Sequence, residues 1–462
     1  MLTIHDRGSR LGRRDFLQIG SLALGGMTLP GLLAARAATA EPLIKDKSVI
    51  FLFLHGGPSQ LETFDPKMSA PVEIRSTTGE LPTSIPGITF GGTFPKLAQL
   101  AHKFSVVRSF STGDGNHDIK PIVSRDTGGA NLGAIYARVA GANHPQTGMP
   151  RNCALFPRAV DSSAQPATMA FGKFSSTGPL GSAYAPFVPG DSSDLHEAMK
   201  LTMPRTRLDD RRGLLTSLDR IKRDVEVRLL DSADKFQTQA FETIIGGVSQ
   251  AFDLTKEEPQ VIARYDTAPL VRPDQISKSW NNYNNYVDNA KALGRLLLLA
   301  RRICERGCGF VTVTTNFVWD MHADVNNAGV EEGMQYMGLP LDYALSAFIE
   351  DVESRGLRDK ILLVVCGEMG RTPKLNKKGG RDHWGGLAPL LVYGGGLQMG
   401  QVIGHSTADA GEPASQPIRI PNLVATVMHS LMDIGQLRVT RGIPAEINRA
   451  VSEPEPIGEL LG

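Results

Sequence analysis

An excess of charge of either sign is missing from this 462-residue chain: 49 Lys and Arg oppose 48 Asp and Glu, for a formal net charge of +1. No long Lys/Arg run breaks the balance. A chain without a basic field has nothing to draw a polyanion over its surface, so nucleic-acid binding is excluded. Cysteine is scarce too. Cys153, Cys304, Cys308 and Cys366 form neither the CxxC pairs of a zinc knuckle nor, at this length, a disulfide framework. Cys304 and Cys308 stand at helical spacing near the end of an apolar helix and are expected in the core. No internal repeat is evident, and no low-complexity tract follows residue 40. What remains, with 41% hydrophobic and 21% charged residues, is the composition of an ordinary globular protein. The length suits a single large α/β domain with insertions.

Long apolar runs are also absent. The apolar run within the best N-terminal stretch, "SLALGGMTLPGLLAARAATA", is interrupted by Gly and Pro and is short for a membrane span of about 20 residues. With "GRRDFLQIG" before it, the segment resembles a twin-arginine export signal, in which Arg13 and Arg14 are the pair and Phe16 and Leu17 complete the motif. Cleavage after Ala37 or Ala40 fits the small-residue rule. The expectation is a signal over 1–40 and one domain over 41–462. It includes export by the twin-arginine machinery, a periplasmic or secreted location, and no stable membrane insertion after cleavage. Export by this route accompanies folding, and often cofactor uptake, before the membrane is crossed.

Strands and helices alternate after the signal. "SVIFLFLHGGPSQ", "SVVRSF", "GFVTVTTN", "KILLVVCGEMG" and "PLLVYGGG" read as strands. "FPKLAQLAHKF", "YVDNAKALGRLLLLARRICERG", "LPLDYALSAFIEDVESRG" and "IPNLVATVMHSLMDIG" read as helices, with Gly307 and Gly356 as terminators. Residues 130–205 are rich in Gly, Pro, Ala and Ser and predict loops and short elements. A charged helical pattern over 206–247 predicts an insertion, so inserted material spans about 130–285. The alternation predicts a mostly parallel sheet covered on both faces.

In such sheets functional loops follow the carboxyl ends of strands, and the acids and imidazoles collect there. His55, Glu62 and Asp65 follow the first strand; Asp114, His117 and Asp118 follow the second. Asp320 and His322 follow the third, Glu368 the fourth, and "GRDHWGG" adds Asp382 and His383. Carboxylate oxygens and imidazole nitrogens suit zinc, manganese, iron or, with fewer imidazoles, magnesium and calcium. Each has a plain structural role open to it: Asp320 as a cap, His383 as a core histidine, Glu368 as a partner of Arg371. Three such constellations at successive strand ends favour one shared site instead. Arg371 and Arg381 offer planar forks for a phosphate or sulfate.

The segments "GGPSQLETFDPK", "VWDMH", "GEMGRTPKLN", "GRDHW" and "GGGLQMGQVIG", in this order behind a twin-arginine signal, resemble the domain-of-unknown-function 1501 family. That family is regarded as a branch of the alkaline phosphatase and sulfatase superfamily. The resemblance implies a three-layer α/β/α sandwich with metal ligands at its strand ends. It implies a candidate metal set of Asp65, Asp320, His322, Glu368, Asp382 and His383, and a divalent ion such as zinc, manganese or calcium. The candidate catalytic set is Ser111, Thr112, His117, Arg371 and Arg381. Ser111 and Thr112 supply the hydroxyls, though neither stands in the "CxPSR" context of sulfatases. "GEMG" stands where the superfamily has Asp-His, so His117 or Asp382 has to supply the missing ligand. The implied function is an exported metal-dependent hydrolase of a phosphate or sulfate ester, acting on a small anionic ester or a surface polymer. The alternative is a non-catalytic secreted binding protein that retains the fold, with or without a bound metal, and a metal-dependent isomerase or mutase is a third reading.

Overall fold

Six residues in a row, Ser48–Phe53, are buried on both sides, a position that only the middle of a doubly covered sheet provides. In the computed structural model the described residues are 43–190, 248–440 and 442–461. The expected signal over 1–40 and the helical pattern over 206–247 lie outside them. The domain runs from Lys45 to Gly462. Its principal sheet has seven strands: β1 (Ser48–Phe53), β2 (Ser105–Val107), β3 (Asn152–Leu155), β4 (Phe310–Thr314), β5 (Ile361–Cys366), β6 (Leu390–Gly394) and β7 (Val402–Ile403). Their spatial order is β7-β2-β6-β5-β1-β4-β3. All neighbours pair in parallel except β6, which runs antiparallel to both β5 and β2. The fold is therefore mixed α/β with a mostly parallel central sheet.

The helices that pack on it are α1 (Leu132–Ala140), α2 (Tyr283–Glu305), α3 (Val330–Ser354) and α4 (Ile420–Leu431). Ile50, Leu52, Val311, Val313, Leu363 and Val365 share one apolar cluster with Leu296 and Leu297 of α2 and Leu341 and Leu345 of α3. Successive side chains on a strand point to opposite faces, which leaves Val49, Phe51 and Phe53 on the other side. α4 contacts β1, and α1 contacts β3 and β4. α2 and α3 each end two residues before a glycine with positive φ, Gly307 at +99° and Gly356 at +66°, the ending that L residues resist and glycine allows. α3 begins nine positions before "LPLD" and runs through Pro340. A proline interrupts one helical hydrogen bond, and the buried Val330, Met334, Met337 and Leu341 on either side keep the turns packed. The Gly/Pro-rich stretch after residue 130 also supplies a sheet strand, β3. All four cysteines are buried free thiols. Among the described residues, no helix is long and apolar enough to cross a membrane.

β1, β4 and β5 are adjacent and parallel, so the loops after them leave from one edge of the sheet. β2 points the same way, because β6 is antiparallel to both of its neighbours. This edge receives the chain segments that carry the polar motifs.

Candidate metal centre

The loop after β1 and the loop after β4 cross with almost no space between them. At Gly56, φ is +115° and a Cβ would stand 2.6 Å from the Asp320 nitrogen and 2.8 Å from the Trp319 nitrogen. Only glycine satisfies both conditions. The His55 carbonyl accepts the N–H groups of Val318 at 3.3 Å and Trp319 at 3.1 Å, so the segment opening "VWDMH" hangs from the loop after β1. Trp319, 1% exposed, anchors it in the core. Glu368, after β5, accepts the Gly56 N–H at 2.9 Å. His383 returns to the same place on a two-stranded ribbon, in which His383 pairs with Arg371 and Trp384 with Gly370.

These constraints bring together four side chains from three distant segments. One ligand atom each from His117, Asp320, His322 and His383 falls within 4.8 Å of every other. Asp320 Oδ1 is the hub. It lies 2.9 Å from His322 Nε2, 3.2 Å from His383 Nε2 and 3.4 Å from His117 Nε2. Two of the imidazoles are held from behind by carboxylates: His117 Nδ1 donates to Glu368 Oε1 at 2.9 Å, and His322 Nδ1 to Asp382 Oδ1 at 3.0 Å. Such an outer carboxylate fixes the ring and leaves Nε2 free to face a metal. Asn376, whose role the sequence did not reveal, donates to the His322 carbonyl at 2.9 Å and to Asp382 Oδ1 at 3.2 Å.

Neither arginine presents its fork outward. Arg371, 1% exposed, donates to Asp320 Oδ1 at 2.7 Å, to the Gly57 carbonyl at 2.8 Å, and to the carbonyls of Gly56 and Trp319. Its other amino group stands 3.2 Å from His322 Nε2. Arg381 forms a fully buried pair with Glu62 at 3.0 Å and donates to the carbonyls of Ile74, Arg75 and Pro373. The phosphate-binding forks predicted for these residues are spent within the protein, since burial leaves a guanidinium no alternative to protein acceptors. Asp65 is not drawn into the group; it pairs with Arg108 at 3.4 Å and Lys67 at 3.3 Å and accepts from Ser406. Ser111 donates to the Gly385 carbonyl at 3.0 Å. Thr112 Oγ1 is buried without a partner.

Burial would raise the Asp320 carboxyl, but the close imidazoles of His117, His322 and His383, with the charge of Arg371, hold it far below the usual carboxylate range. Burial lowers His117, yet Asp320 and Glu368 outweigh it and raise this imidazole above its ordinary value. His322 behaves alike: burial and Arg371 lower it, Asp320 and Asp382 raise it, and the net direction is up. His55, buried among Phe53, Phe171, Phe174 and Phe317, is lowered chiefly by burial, against the pull of Glu368.

The donor set fits a divalent ion. With bonds of about 2.0–2.1 Å, the edges of a tetrahedral shell are about 3.3–3.4 Å; the three edges at Asp320 Oδ1 are 2.9–3.4 Å, and the ligand atoms as a group lie within 4.8 Å of one another. His117 Nε2 is buried with no hydrogen-bond partner. His322 Nε2 cannot suit both neighbours in either protonation state. As a donor it meets the Arg371 N–H head-on, and as an acceptor it turns a lone pair toward a carboxylate oxygen. A cation in the group gives the His117 nitrogen a partner and bridges the His322 lone pair to the Asp320 carboxylate. Three imidazoles and a carboxylate suit zinc or manganese better than calcium, which prefers an all-oxygen shell.

No curated protein matches the chain. Similar solved structures include a sulfatase from Pseudoalteromonas sp., 11% identical with a TM-score of 0.34, the alignment covering 87% of this chain and 69% of that one. They also include a phosphonate monoester hydrolase from Silicibacter pomeroyi, 11% identical with a TM-score of 0.33, covering 89% and 78%. A lipoteichoic acid synthase from Listeria monocytogenes is 10% identical with a TM-score of 0.31, covering 83% and 72%. At these TM-scores no residue correspondence follows from the likeness. The model of the family described as "Protein of unknown function (DUF1501)" matches residues 46–460, and the chain belongs to that family.

Proposed function

We propose that this member of the DUF1501 family is an exported metal-dependent hydrolase of a phosphate or sulfate ester, built on a three-layer α/β/α sandwich of the alkaline-phosphatase type. The observation that carries this reading is the convergence of His117, Asp320, His322 and His383 within 4.8 Å at the carboxyl edge of the sheet. These four would hold the ion, Glu368 and Asp382 would orient two of the imidazoles, and Arg371 would hold Asp320 ionised and in place. Bound there, a divalent ion lowers the pKa of a hydroxyl or water and offsets negative charge on the transferred group. Of the two hydroxyls at the end of "SVVRSF", we assign the nucleophile to Thr112, whose Oγ1 lacks a partner, over Ser111, whose Oγ is engaged. The twin-arginine signal over 1–40 would deliver the domain to the periplasm or beyond, where small anionic esters and surface polymers are the available substrates.

One observation favours a second reading. Four protein donors fill a tetrahedral shell, whereas catalytic zinc keeps a position open; a secreted binding protein that retains the fold and a closed metal site would look the same. Elemental analysis of protein purified without added metal, compared with the His322→Ala/His383→Ala double variant, tests the common premise. Equal metal content in the two defeats both readings. Turnover of aryl phosphates, phosphodiesters or aryl sulfates by the metal-loaded wild type supports the hydrolase, and bound metal without turnover supports the binding protein.

A further inference from the structure

The loop after β2 reads "GDGNHDIK" and carries His117 at its middle. Its last residue, Lys120, is only 4% exposed, yet its ammonium is not paired with a buried acid. It lies 2.5 Å from Asp114 Oδ1, 3.4 Å from the Asn116 carbonyl and 3.4 Å from Asp118 Oδ1. Three acceptors meet the three N–H groups of the ammonium. They come from alternate positions of one turn, the spacing by which an acidic loop wraps a calcium ion. The same carboxylates brace the backbone: Asp114 Oδ1 accepts the Asn116 N–H at 2.8 Å and Asp118 Oδ1 the Lys120 N–H at 3.3 Å. Both acids are half exposed, at 53% and 52%, against 5% for the lysine side chain. The lysine therefore reaches from the protein side, and the two carboxylates fold in from solvent to meet it.

His117 lies inside the turn so formed. Its ring stands 4.2 Å from that of His383, centroid to centroid, and the start of the loop is tied to the ribbon by Gly113 N–H to the Gly385 carbonyl at 3.0 Å. We propose that Lys120 is a built-in cation, standing where an acidic loop would otherwise hold a metal ion, and that by closing the 114–118 turn it aims His117 at Asp320. Lys120 is thus a positioning residue that acts through the loop, and the inference rests on the cluster being a metal site. It also implies that the loop needs no ion of its own in the wild type.

Cobalt(II) alone serves as the probe, because its visible absorption reports the imidazole shell independently of any reaction. The wild type, Lys120→Met and the Asp114→Asn/Asp118→Asn double variant are titrated with cobalt, with and without millimolar calcium. Lys120→Met is expected to bind cobalt at least roughly 10-fold more weakly, the loss typical when the support behind a ligand is removed. Calcium captured by the vacated Asp114, Asn116 and Asp118 oxygens is expected to restore both affinity and spectrum. Calcium leaves the wild type unchanged. The double variant shows the same loss without recovery, because the capturing carboxylates are gone, and it carries the test if Lys120→Met does not fold. Cobalt binding by Lys120→Met equal to the wild type overturns the proposal, as does a loss that calcium fails to recover. For the double variant, wild-type affinity overturns it. A wild type that takes up no cobalt defeats the metal-site reading as well, which separates the two failures.

Discussion

Glu62→Gln is the substitution whose cost can be worked most directly from the structure. Both Glu62 and Arg381 side chains are 0% exposed, and the guanidinium spans Glu62 Oε1 with two N–H groups at 3.0 and 3.1 Å. Burial lowers the Arg381 pKa, against the pull of Glu62, so the carboxylate keeps the guanidinium charged in the interior. Removing one partner of such a pair costs about 3–5 kcal/mol, because the other charge is left buried and uncompensated. Arg381 retains the carbonyls of Ile74 and Arg75 at 2.8 and 3.0 Å, which places the expected loss near the lower end, about 3 kcal/mol. Glu62 also accepts from Ser76 Oγ at 2.7 Å and from the Thr77 N–H at 3.0 Å. The reverse single variant, Arg381→Met, therefore strands an anion that keeps these donors and those of the Thr77 hydroxyl and the Thr78 N–H. The double variant Glu62→Gln/Arg381→Met has no stranded charge and should recover most of the loss. Urea unfolding of the four proteins gives the coupling energy. A Glu62→Gln cost below about 1 kcal/mol, the size of an exposed pair, would refute the view that Arg381 depends on this buried carboxylate.

Three further outcomes follow from the site. In metal-free protein, His117 and His322 have pKa values above the unfolded imidazole value of about 6.5. Their contribution to stability is full below that value and is lost as pH rises through the folded pKa. The melting temperature of the metal-free chain should therefore fall from pH 6 to 8, whereas saturating zinc should reverse the trend, since the ion displaces those protons; parallel curves with and without zinc would contradict this. Asp320→Asn should both abolish metal uptake and lower stability by about 3 kcal/mol, because Arg371 is left buried without its anion; unchanged urea midpoints would show that Arg371 is satisfied by carbonyls alone. Gly56→Ala should destabilise by about 1–3 kcal/mol from its positive φ alone, with more from the contact at Asp320, and a midpoint equal to the wild type would rule out the tight crossing.

The readable part of the site was set by backbone logic. "SVIFLFLHGG", "GFVTVTTN" and "KILLVVCGEMG" are continuous apolar runs ending in glycine or polar residues. Runs of that kind become the central strands β1, β4 and β5, so the acids and imidazoles after them were bound to meet at one edge. Asp320, His322 and Glu368 could be placed on these grounds; Asp382 and His383 precede β6 and reach the same edge because β6 runs antiparallel to its neighbours. Asp65 could not be separated from them, because what takes it elsewhere is Arg108, a residue on a different strand end that no spacing connects to it. The two arginines show the same limit more sharply. Their guanidinium forks suit a phosphate equally well in sequence, and only three-dimensional burial reveals that Arg371 and Arg381 are occupied by carbonyls and acids. The direction of β6 was hidden because parallel and antiparallel buried strands share the same apolar composition. Lys120 was hidden for a related reason. Its partners sit in plain view at alternate positions of "DGNHD", but a lysine two residues past an acidic turn is ordinarily solvated, and its 4% exposure is a property of the fold around the loop. The general rule is that strand-end placement can be derived from local pattern, while the use to which a charged side chain is put depends on which non-local neighbour removes it from water. For this chain the test case is His117. Its assignment to the metal depends on Glu368 taking its other nitrogen, and Glu368→Gln, which keeps the shape and the Gly56 contact but weakens the acceptor, should reduce zinc affinity roughly 10–100-fold in a competition titration. Unaltered affinity would mean that His117 is oriented by its loop alone.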